Sequence, residues 1–426
     1  MNSYKNRVVD GILARKLQGT GAILVEGAKW CGKTTTCEQV AKSVLYLGDP
    51  DVRDNYLRLA EISLGSLLEG ERPRLIDEWQ DVPRLWDAVR FKVDHLEGWG
   101  HFILTGSSVP PDVSRIAHSG AGRFARVKMR PMTLWESGES SGEVSLAGLM
   151  SGTGFQAGKA NALNLGDLAY LLCRGGWPEA VAQGGDLALE RAKDYYAVVV
   201  EADITRADGV PRDPERVKRL MRSYARLQGT QSNLAAIRRD MLAHEPRELS
   251  ELTIKSYLNA LKRIFVVEDV PAWSPCLRSK SVVRTSDTRY FVDPSVVTAA
   301  LNATPSDLTG DMRTLGYVFE TMAIRDLRVY ADAQRGTVSH YLDRNGLECD
   351  AIVHLDHGEY GLIEIKLGGE TLIEEGARTL NALANIVDVD RMKPPSFKMV
   401  LTGVGDFAYR RKEDGVIVCP IAALRP

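Results

Sequence analysis

Cysteine is scarce in this 426-residue chain: Cys31, Cys37, Cys173, Cys276, Cys349 and Cys419 are scattered, form no C-x-x-C pair and have no histidine at metal-ligand spacing. That pattern argues against a disulfide framework and a zinc site, and a reducing cytoplasm is expected. Long apolar runs are missing as well. No stretch reaches the ~18 residues of a membrane span, and Met1 to Arg7 shows no charged-then-apolar leader, so neither membrane insertion nor secretion is expected. Nor is there a large charge of one sign, because 54 Lys and Arg stand against 56 Asp and Glu for a formal charge of −2. A wholly basic nucleic-acid coat protein is excluded, and any DNA-binding surface must be local. Internal repeats and low-complexity tails are absent. What is present, 44% hydrophobic and 26% charged residues, is the composition of a soluble globular protein. At about 100–200 residues per domain, the length calls for roughly two to four domains.

The most specific stretch runs from Gly27 to Thr34, Gly-Ala-Lys-Trp-Cys-Gly-Lys-Thr, behind the apolar run Ala22 to Val25 and ahead of a helical pattern. It satisfies the G-x-x-x-x-G-K-S/T template in the strand-loop-helix context that the template needs, and ATP is the expected ligand. Gly27 and Gly32 let the backbone curl so that successive N–H groups converge on phosphate, and the positive end of the next helix adds to the attraction. Lys33 is expected to reach the β- and γ-phosphates and the Thr34 hydroxyl to sit on Mg²⁺, with Thr35 beside it in the nucleotide site. Cys31 reads as a small filler, although a place near a helix N-terminus can lower a thiol pKa.

Downstream, Arg74 to Trp79 reads as an apolar strand ending in two acids. Asp77 is expected to hold Mg²⁺ through its water shell and Glu78 to accept a proton from the attacking water; a solvated strand cap has the same composition. The strand His101 to Ser108 closes in a hydroxyl cluster. Thr105 or Ser107 would stand beside the γ-phosphate if this strand lies between the other two, and a plain Ser/Gly turn is the competing reading. Arg123, with Arg115 as second choice, follows where a homo-oligomer would supply an arginine finger to its neighbour. An ordinary surface arginine fits equally.

These motifs, Gly27 to Thr34, Leu75 to Glu78, Leu104 to Ser107 and Gly122-Arg123, are followed by Arg130-Pro131-Met132-Thr133-Leu134-Trp135-Glu136. Together they resemble a prokaryotic family of AAA-type P-loop ATPases. Members carry a C-terminal domain of long-unassigned function that resembles the restriction-endonuclease fold. The resemblance implies an α/β P-loop ATPase domain and makes a role in genome defence or mobile-element control an expectation.

Glu136 to Ala162 is rich in Gly and Ser and reads as a flexible connection. Arg174-Gly175-Gly176-Trp177-Pro178 looks like the family's signature turn, structurally a glycine cap followed by a proline stop. Three helical patterns, Pro214 to Leu227, Asn233 to Leu242 and Leu249 to Phe265, precede a possible β wing at Phe265 to Glu268. A winged helix with Lys255, Lys262 and Arg263 on phosphate fits this pattern, and so does a helical lid with charged outer faces. Arg278, Lys280, Arg284 and Arg289 form a local basic excess that suits either phosphate contacts or solvent.

Near the C-terminus, Ser339 to Asp343, Cys349 to Leu355 and Gly361 to Leu367 read as strands, with Glu348 and Asp350 on one face and Glu364 and Lys366 on one face. If the last two strands are antiparallel neighbours, Asp350, Glu364 and Lys366 converge in the D…E-x-K arrangement of restriction-type nucleases. Asp350 and Glu364 are then expected to bind Mg²⁺, Lys366 to position or activate the attacking water, and Glu320 to be the upstream acid. Leu347-Glu348-Cys349 replaces the proline of the strict motif, and a strand-face salt bridge would show the same residues. The expected architecture is an ATPase domain over residues 1–136, a linker and helical lid over 137–212, a helical and probable winged-helix domain over 213–275 and a restriction-endonuclease-like α/β domain over 276–426. The expected function couples ATP binding and hydrolysis to Mg²⁺-dependent binding or cleavage of nucleic acid, DNA before RNA. The alternative is a non-cleaving ATP-dependent switch that holds DNA or a protein partner.

Overall fold

Ala22, Ile23, Leu24 and Val25 are buried without the alternation of a half-exposed strand, so β1 (Ala22–Glu26) suits the interior of a parallel sheet. It joins β2 (Ser43–Tyr46), β3 (Arg74–Asp77), β4 (Phe102–Gly106) and β5 (Phe124–Lys128) in a five-stranded sheet of order β2-β3-β4-β1-β5, every neighbouring pair parallel. β4 therefore lies between β1 and β3, the condition on which the reading of Thr105 depended, and the register sets Val25 and Asp77 on its two sides. The helix Val8–Leu17 buries Val9, Ile12 and Leu13 between this sheet and the long helix Met312–Ala333. This computed structural model describes residues 4–108, 120–153, 155–243, 250–274, 286–387 and 392–426. Arg115, Cys276, Arg278, Lys280 and Arg284 lie outside the described residues.

The Gly/Ser-rich stretch differs from the expected flexible connection. It holds β6 (Val144–Ser145), the helix Leu146–Ser151 and β7 (Gly158–Lys159). The C-terminal sheet explains why. Its strands β8 (Gly336–Leu342), β9 (Glu348–Leu355), β10 (Tyr360–Lys366), β11 (Phe397–Thr402), β12 (Phe407–Arg410) and β13 (Ile417–Pro420) take β7 as an edge, in the order β7-β12-β13-β11-β10-β9-β8. β6 pairs with β14 (Leu424–Arg425). The serine hydroxyls work locally: Ser140 Oγ donates to the Leu424 carbonyl (2.7 Å), and Ser145 Oγ donates to the Pro426 carbonyl (2.9 Å) and accepts from Gly148 N–H. Serine richness here reflects backbone anchoring rather than chain freedom.

Within that sheet, β9 is antiparallel to both β8 and β10, while β10–β11 and β11–β13 are parallel. Alternate residues meet different layers. Ile363 and Ile365 join the core that includes Met312–Ala333, whereas Ile352 and Leu362 join Ala377 and Leu380 of the helix Glu370–Ile386.

Between β5 and β8 in the chain come the helices Pro214–Arg226, Leu234–Leu242 and Glu251–Arg263, each started by a capping side chain from Asp213, Asn233 or Ser250. After the third, Val267 bridges Phe291 and Val270 bridges Thr288, both antiparallel. Arg174 to Pro178 forms a junction. Gly175 ends one helix as expected, but Pro178 is the first residue of the next, Pro178–Gln183, so it opens a helix instead of stopping one. The Gly176 carbonyl accepts from Met132 N–H (2.6 Å) and its N–H donates to the Asp293 carboxylate (3.0 Å), Trp177 Nε1 donates to Ser295 Oγ (2.8 Å), and Arg325 pairs with Asp293 (2.8 Å) and Asp326 (2.7 Å). Among the described residues, no helix is long and apolar enough to cross a membrane.

Candidate functional site

The sharp turn after β1 can be made only by glycine at its first position, because a Cβ on Gly27 would lie 2.0 Å from the Met129 carbonyl oxygen. Gly32 takes φ 96° and leads into the helix Lys33–Glu38. Cys31 is fully buried and its Sγ faces the Met129 carbonyl at 3.6 Å, which suits a filler. Lys33 is folded back across the loop, its Nζ donating to the carbonyls of Gly27 (2.9 Å) and Ala28 (2.8 Å). It is thus held at the mouth of the loop, where phosphate would exchange for carbonyl oxygen.

Neighbouring strands bring the other groups together. Asp77 Oδ1 accepts from Thr34 Oγ1 (2.8 Å) and Thr105 Oγ1 (2.5 Å), so three residues chosen from separate motifs meet on one carboxylate oxygen. Glu78, at φ 56°, turns away from the strand, and its Oε2 accepts from Ser107 Oγ (3.1 Å) and from Gln80 Nε2. A hydroxyl and a carboxylate in contact are the donor set that Mg²⁺ takes in P-loop sites, and they fit that ion. Thr35 is exposed on the following helix, where its carbonyl accepts from Gln39 Nε2 (3.0 Å). Arg123 stands elsewhere: its carbonyl accepts from Ala22 N–H at the start of β1, the end of the sheet opposite the loop, and its Nε donates to Asp94 (2.7 Å). It does not serve this chain's own nucleotide site.

Sequence reasoning missed the wall facing Glu78. A cleft of about 320 Å³ lies between the P-loop domain and the helical middle, with Lys29, Glu78 and Ser107 on one side and Tyr195, Asp203 and Arg206 on the other. Only Asp203, one of two acids inside the apolar run Val198 to Ile204, could have signalled it.

In the C-terminal sheet, antiparallel pairing sets Ala351 opposite Ile363, so the next step brings Asp350 to Glu364. Lys366 Nζ lies 3.2 Å from Asp350 Oδ2 and 2.6 Å from Glu364 Oε2, and Asp350 Oδ2 also accepts from Ile365 N–H (2.7 Å). The three residues read as one constellation do converge. Burial, aided by the nearby Asp350 charge, pushes the Glu364 carboxyl up to about 8 against the opposing pull of Lys366. Burial disfavours the Lys366 ammonium, but Asp350 and Glu364 outweigh it and hold its pKa above the ordinary lysine value. Glu320 accepts from the Tyr290 hydroxyl, and burial followed by the Asp350 charge raises its pKa well above the ordinary carboxylate range.

A cleft of about 710 Å³ holds Glu320, Glu348, Asp350 and Lys366, and the middle domain adds Thr230 and Gln231 as one wall. Among the described residues, no three His, Cys, Asp or Glu side chains form a ready metal cluster, because Lys366 stands between the acids. Glu364 Oε1 is nevertheless buried without a hydrogen-bond partner, and an unpaired carboxylate oxygen beside Asp350 suits a hard divalent cation.

Of the basic side chains read as facing phosphate, Lys255 is exposed. Lys262 pairs with Asp269 at 2.7 Å, and Arg289 pairs with the same carboxylate at 2.8 Å while donating to the Ser232 carbonyl. Arg289 is a structural tie, since a buried acid and a loop carbonyl claim its guanidinium.

Residues 20–137 match a family model described as an AAA domain, and residues 165–307 and 315–424 match two models described as domains of unknown function, DUF8612 and DUF4143. Uncharacterized proteins of Mycobacterium bovis and Mycobacterium tuberculosis are each 25% identical over 264 residues, which is 61% of this chain and 52% of theirs. The match thus spans about half the length of these curated relatives. A Walker-type ATPase of Pyrococcus abyssi is similar at 15% identity and a TM-score of 0.42, over 70% of this chain and 96% of that one. The AAA-domain match covers the loop, the acid pair and the strand between them, and the N-terminal part of this chain is an AAA-type P-loop ATPase domain.

Proposed function

We propose that this protein is an ATP-controlled, Mg²⁺-dependent nucleic-acid-processing enzyme, in which the P-loop domain hydrolyses ATP and a restriction-endonuclease-type centre cuts phosphodiesters. The observation that carries the second half is the convergence of Asp350, Glu364 and Lys366 across the β9–β10 hairpin, with Glu364 Oε1 left unpaired. The strand order β8-β9-β10-β11, with a helix before β8 and another between β10 and β11, supports the same reading. Asp350 and Glu364 would hold Mg²⁺, which when bound supplies charge neutralisation at a phosphodiester. Lys366, released from the two acids, keeps its proton and orients water or a phosphate oxygen. At the other site Thr34 and Asp77 would hold Mg²⁺, Lys33 binds the phosphates, and Glu78, oriented by Ser107 and Gln80, receives the proton of the attacking water.

The middle helices Pro214–Arg226, Leu234–Leu242 and Glu251–Arg263 with the two bridges behind them support a winged-helix reading, with the exposed Lys255 as a cation toward phosphate. A second reading, a non-cleaving ATP-dependent switch, is favoured by one fact: Lys366 already occupies both acids as an ion-pair partner.

The deciding experiment is cleavage of single- and double-stranded DNA and RNA with and without Mg²⁺ and ATP. Wild type is expected to cut, and Lys366→Ala to lose at least about 100-fold in rate, since one electrostatic group in a catalytic centre is worth about that much. No cutting by wild type, with DNA still bound at low salt and released at high salt, would replace the nuclease with the switch.

A further inference from the structure

The cleft between the P-loop domain and the middle helices contains a contact that the roles of Lys33, Thr34, Asp77 and Glu78 leave unused. Lys29, the third residue of the loop, reaches out of it, and its Nζ lies 2.6 Å from Asp203 Oδ1. The two ends differ. The Asp203 side chain is 5% exposed, whereas that of Lys29 is 35% exposed and lines the cleft beside Glu78 and Ser107. A buried carboxylate with one charged partner holds it firmly, since losing that partner strands a charge in a low-dielectric setting.

The next loop residue is held from the same side. Trp30 adopts φ 64°, a left-handed conformation that a bulky side chain rarely takes, and its ring packs 5.6 Å from that of Tyr195. Tyr195 is buried against Trp177 at 4.1 Å. Asp203 closes the π-helical turn Val199–Asp203, which follows directly on the helix Gly185–Val198 that carries Tyr195; such turns widen a helix locally and re-aim the side chains they carry. Two successive loop residues are therefore gripped by two residues of the middle domain.

We propose that Lys29 is a second cation of the nucleotide site, facing the γ-phosphate edge, and that Asp203 of the middle domain is the positioning residue that holds it there. The inference rests on the reading of Gly27 to Thr34 as an ATP site. An ammonium has three donors, so Lys29 can keep Asp203 and give another N–H to a phosphate oxygen. The γ-phosphate belongs near Glu78 and Ser107, whose side chains share the cleft with Lys29. A nucleoside diphosphate lacks that group, and its affinity does not depend on Lys29. The nucleotide site is thus built by two domains, and the presence of the terminal phosphate is felt at Asp203, in the element that leads to the helices Pro214–Arg226 and Glu251–Arg263.

The test is the ratio of ATP to ADP affinity, measured by calorimetry on the full chain with Mg²⁺. Lys29→Met is expected to lower ATP affinity by about tenfold while ADP affinity stays within about twofold, and Lys29→Arg to retain most of the preference. Lys29→Met strands the buried Asp203 charge and is open to misfolding. Lys29→Met combined with Asp203→Asn removes both charges, and it is expected to melt like wild type and still to lose the preference. Asp203→Asn alone keeps the cation without its anchor and is expected to give an intermediate ratio. A folded double variant with the wild-type ratio overturns the proposal. If wild type itself binds neither nucleotide, and Lys33→Ala changes nothing, the nucleotide reading falls and takes this inference with it.

Discussion

The two sites of this chain hold their carboxylates in opposite ways. At the P-loop, Asp77 accepts from the hydroxyls of Thr34 and Thr105, neutral donors that bring no counter-charge. In the C-terminal cleft, Asp350 and Glu364 share the Lys366 ammonium, and Glu364 is buried enough to hold a proton near neutrality. The difference teaches what each site needs in order to start. On the proposed function, the first would offer a carboxylate oxygen to a metal that arrives with its nucleotide. On the same reading, the second would have to shed a proton and displace an ammonium before metal and phosphate could enter together.

The strongest way to break this comparison is to disable one site at a time. Lys33→Ala is expected to reduce ATP turnover by at least about 100-fold while leaving divalent-metal binding in the C-terminal cleft unchanged, and Lys366→Ala to leave ATP turnover unchanged while tightening divalent-metal binding in the cleft, because the competing ammonium is gone. Parallel ATPase and metal-titration measurements check both. If either variant abolishes both signals, the sites are one unit and the contrast fails.

Next in size is the junction between them. Gly176 has no room for a side chain, because a Cβ would lie 2.1 Å from the Met132 carbonyl and 2.8 Å from Arg325 Nη1. Gly176→Ala is expected to cost about 1–3 kcal/mol or more, read in urea melts. A wild-type midpoint would mean the junction yields more readily than its packing implies.

Proton linkage sharpens the comparison further. The Glu364 carboxyl is raised from 4.5 to about 8, so the folded state keeps a proton that the unfolded state releases. Stability from this group is complete below about 4.5 and is lost as pH rises toward 8, and Glu320 acts in the same direction. The metal-free protein is expected to melt at progressively lower temperature across that window, with the slope reduced in Glu364→Gln. Mg²⁺ affinity at the cleft should climb over the same range as the competing proton leaves. A flat profile in both measurements would place Glu364 among ordinary carboxylates.

The smallest effect belongs to Arg123, paired with Asp94 at the far end of the sheet. At protein concentrations where the chain is monomeric, Arg123→Ala is expected to leave ATP turnover at the wild-type value. A loss that appears only as concentration rises would identify it as a finger acting on a neighbouring copy.

Much of the first site was legible because its chemistry is encoded in short, contiguous stretches. Gly27, Gly32 and Lys33 are dictated by a backbone that must wrap phosphate, and Asp77 and Thr105 end apolar strands of a parallel sheet whose loops gather at one edge. The C-terminal constellation was readable through strand alternation, which aligned Asp350 with Glu364 and Lys366 once the two strands paired. Other features resisted. Serine and glycine in Glu136 to Ala162 looked like a flexible linker, yet their partners, β12 and the Leu424 and Pro426 carbonyls, lie more than two hundred residues away in sequence. Pro178 looked like a stop because proline breaks helices, but at a first position its missing N–H costs nothing.

By itself, then, the sequence determined the loop, the acid pair and the candidate residues for phosphate and metal, because each depends on local backbone and side-chain chemistry. Only the tertiary structure decided that Lys29 meets Asp203, that Arg289 is tied to Asp269, that Thr230 and Gln231 wall the second cleft, and that Lys366 pairs with both acids. Those pairings join residues far apart in the chain. Burial and mutual charge, which no local pattern records, set their strength.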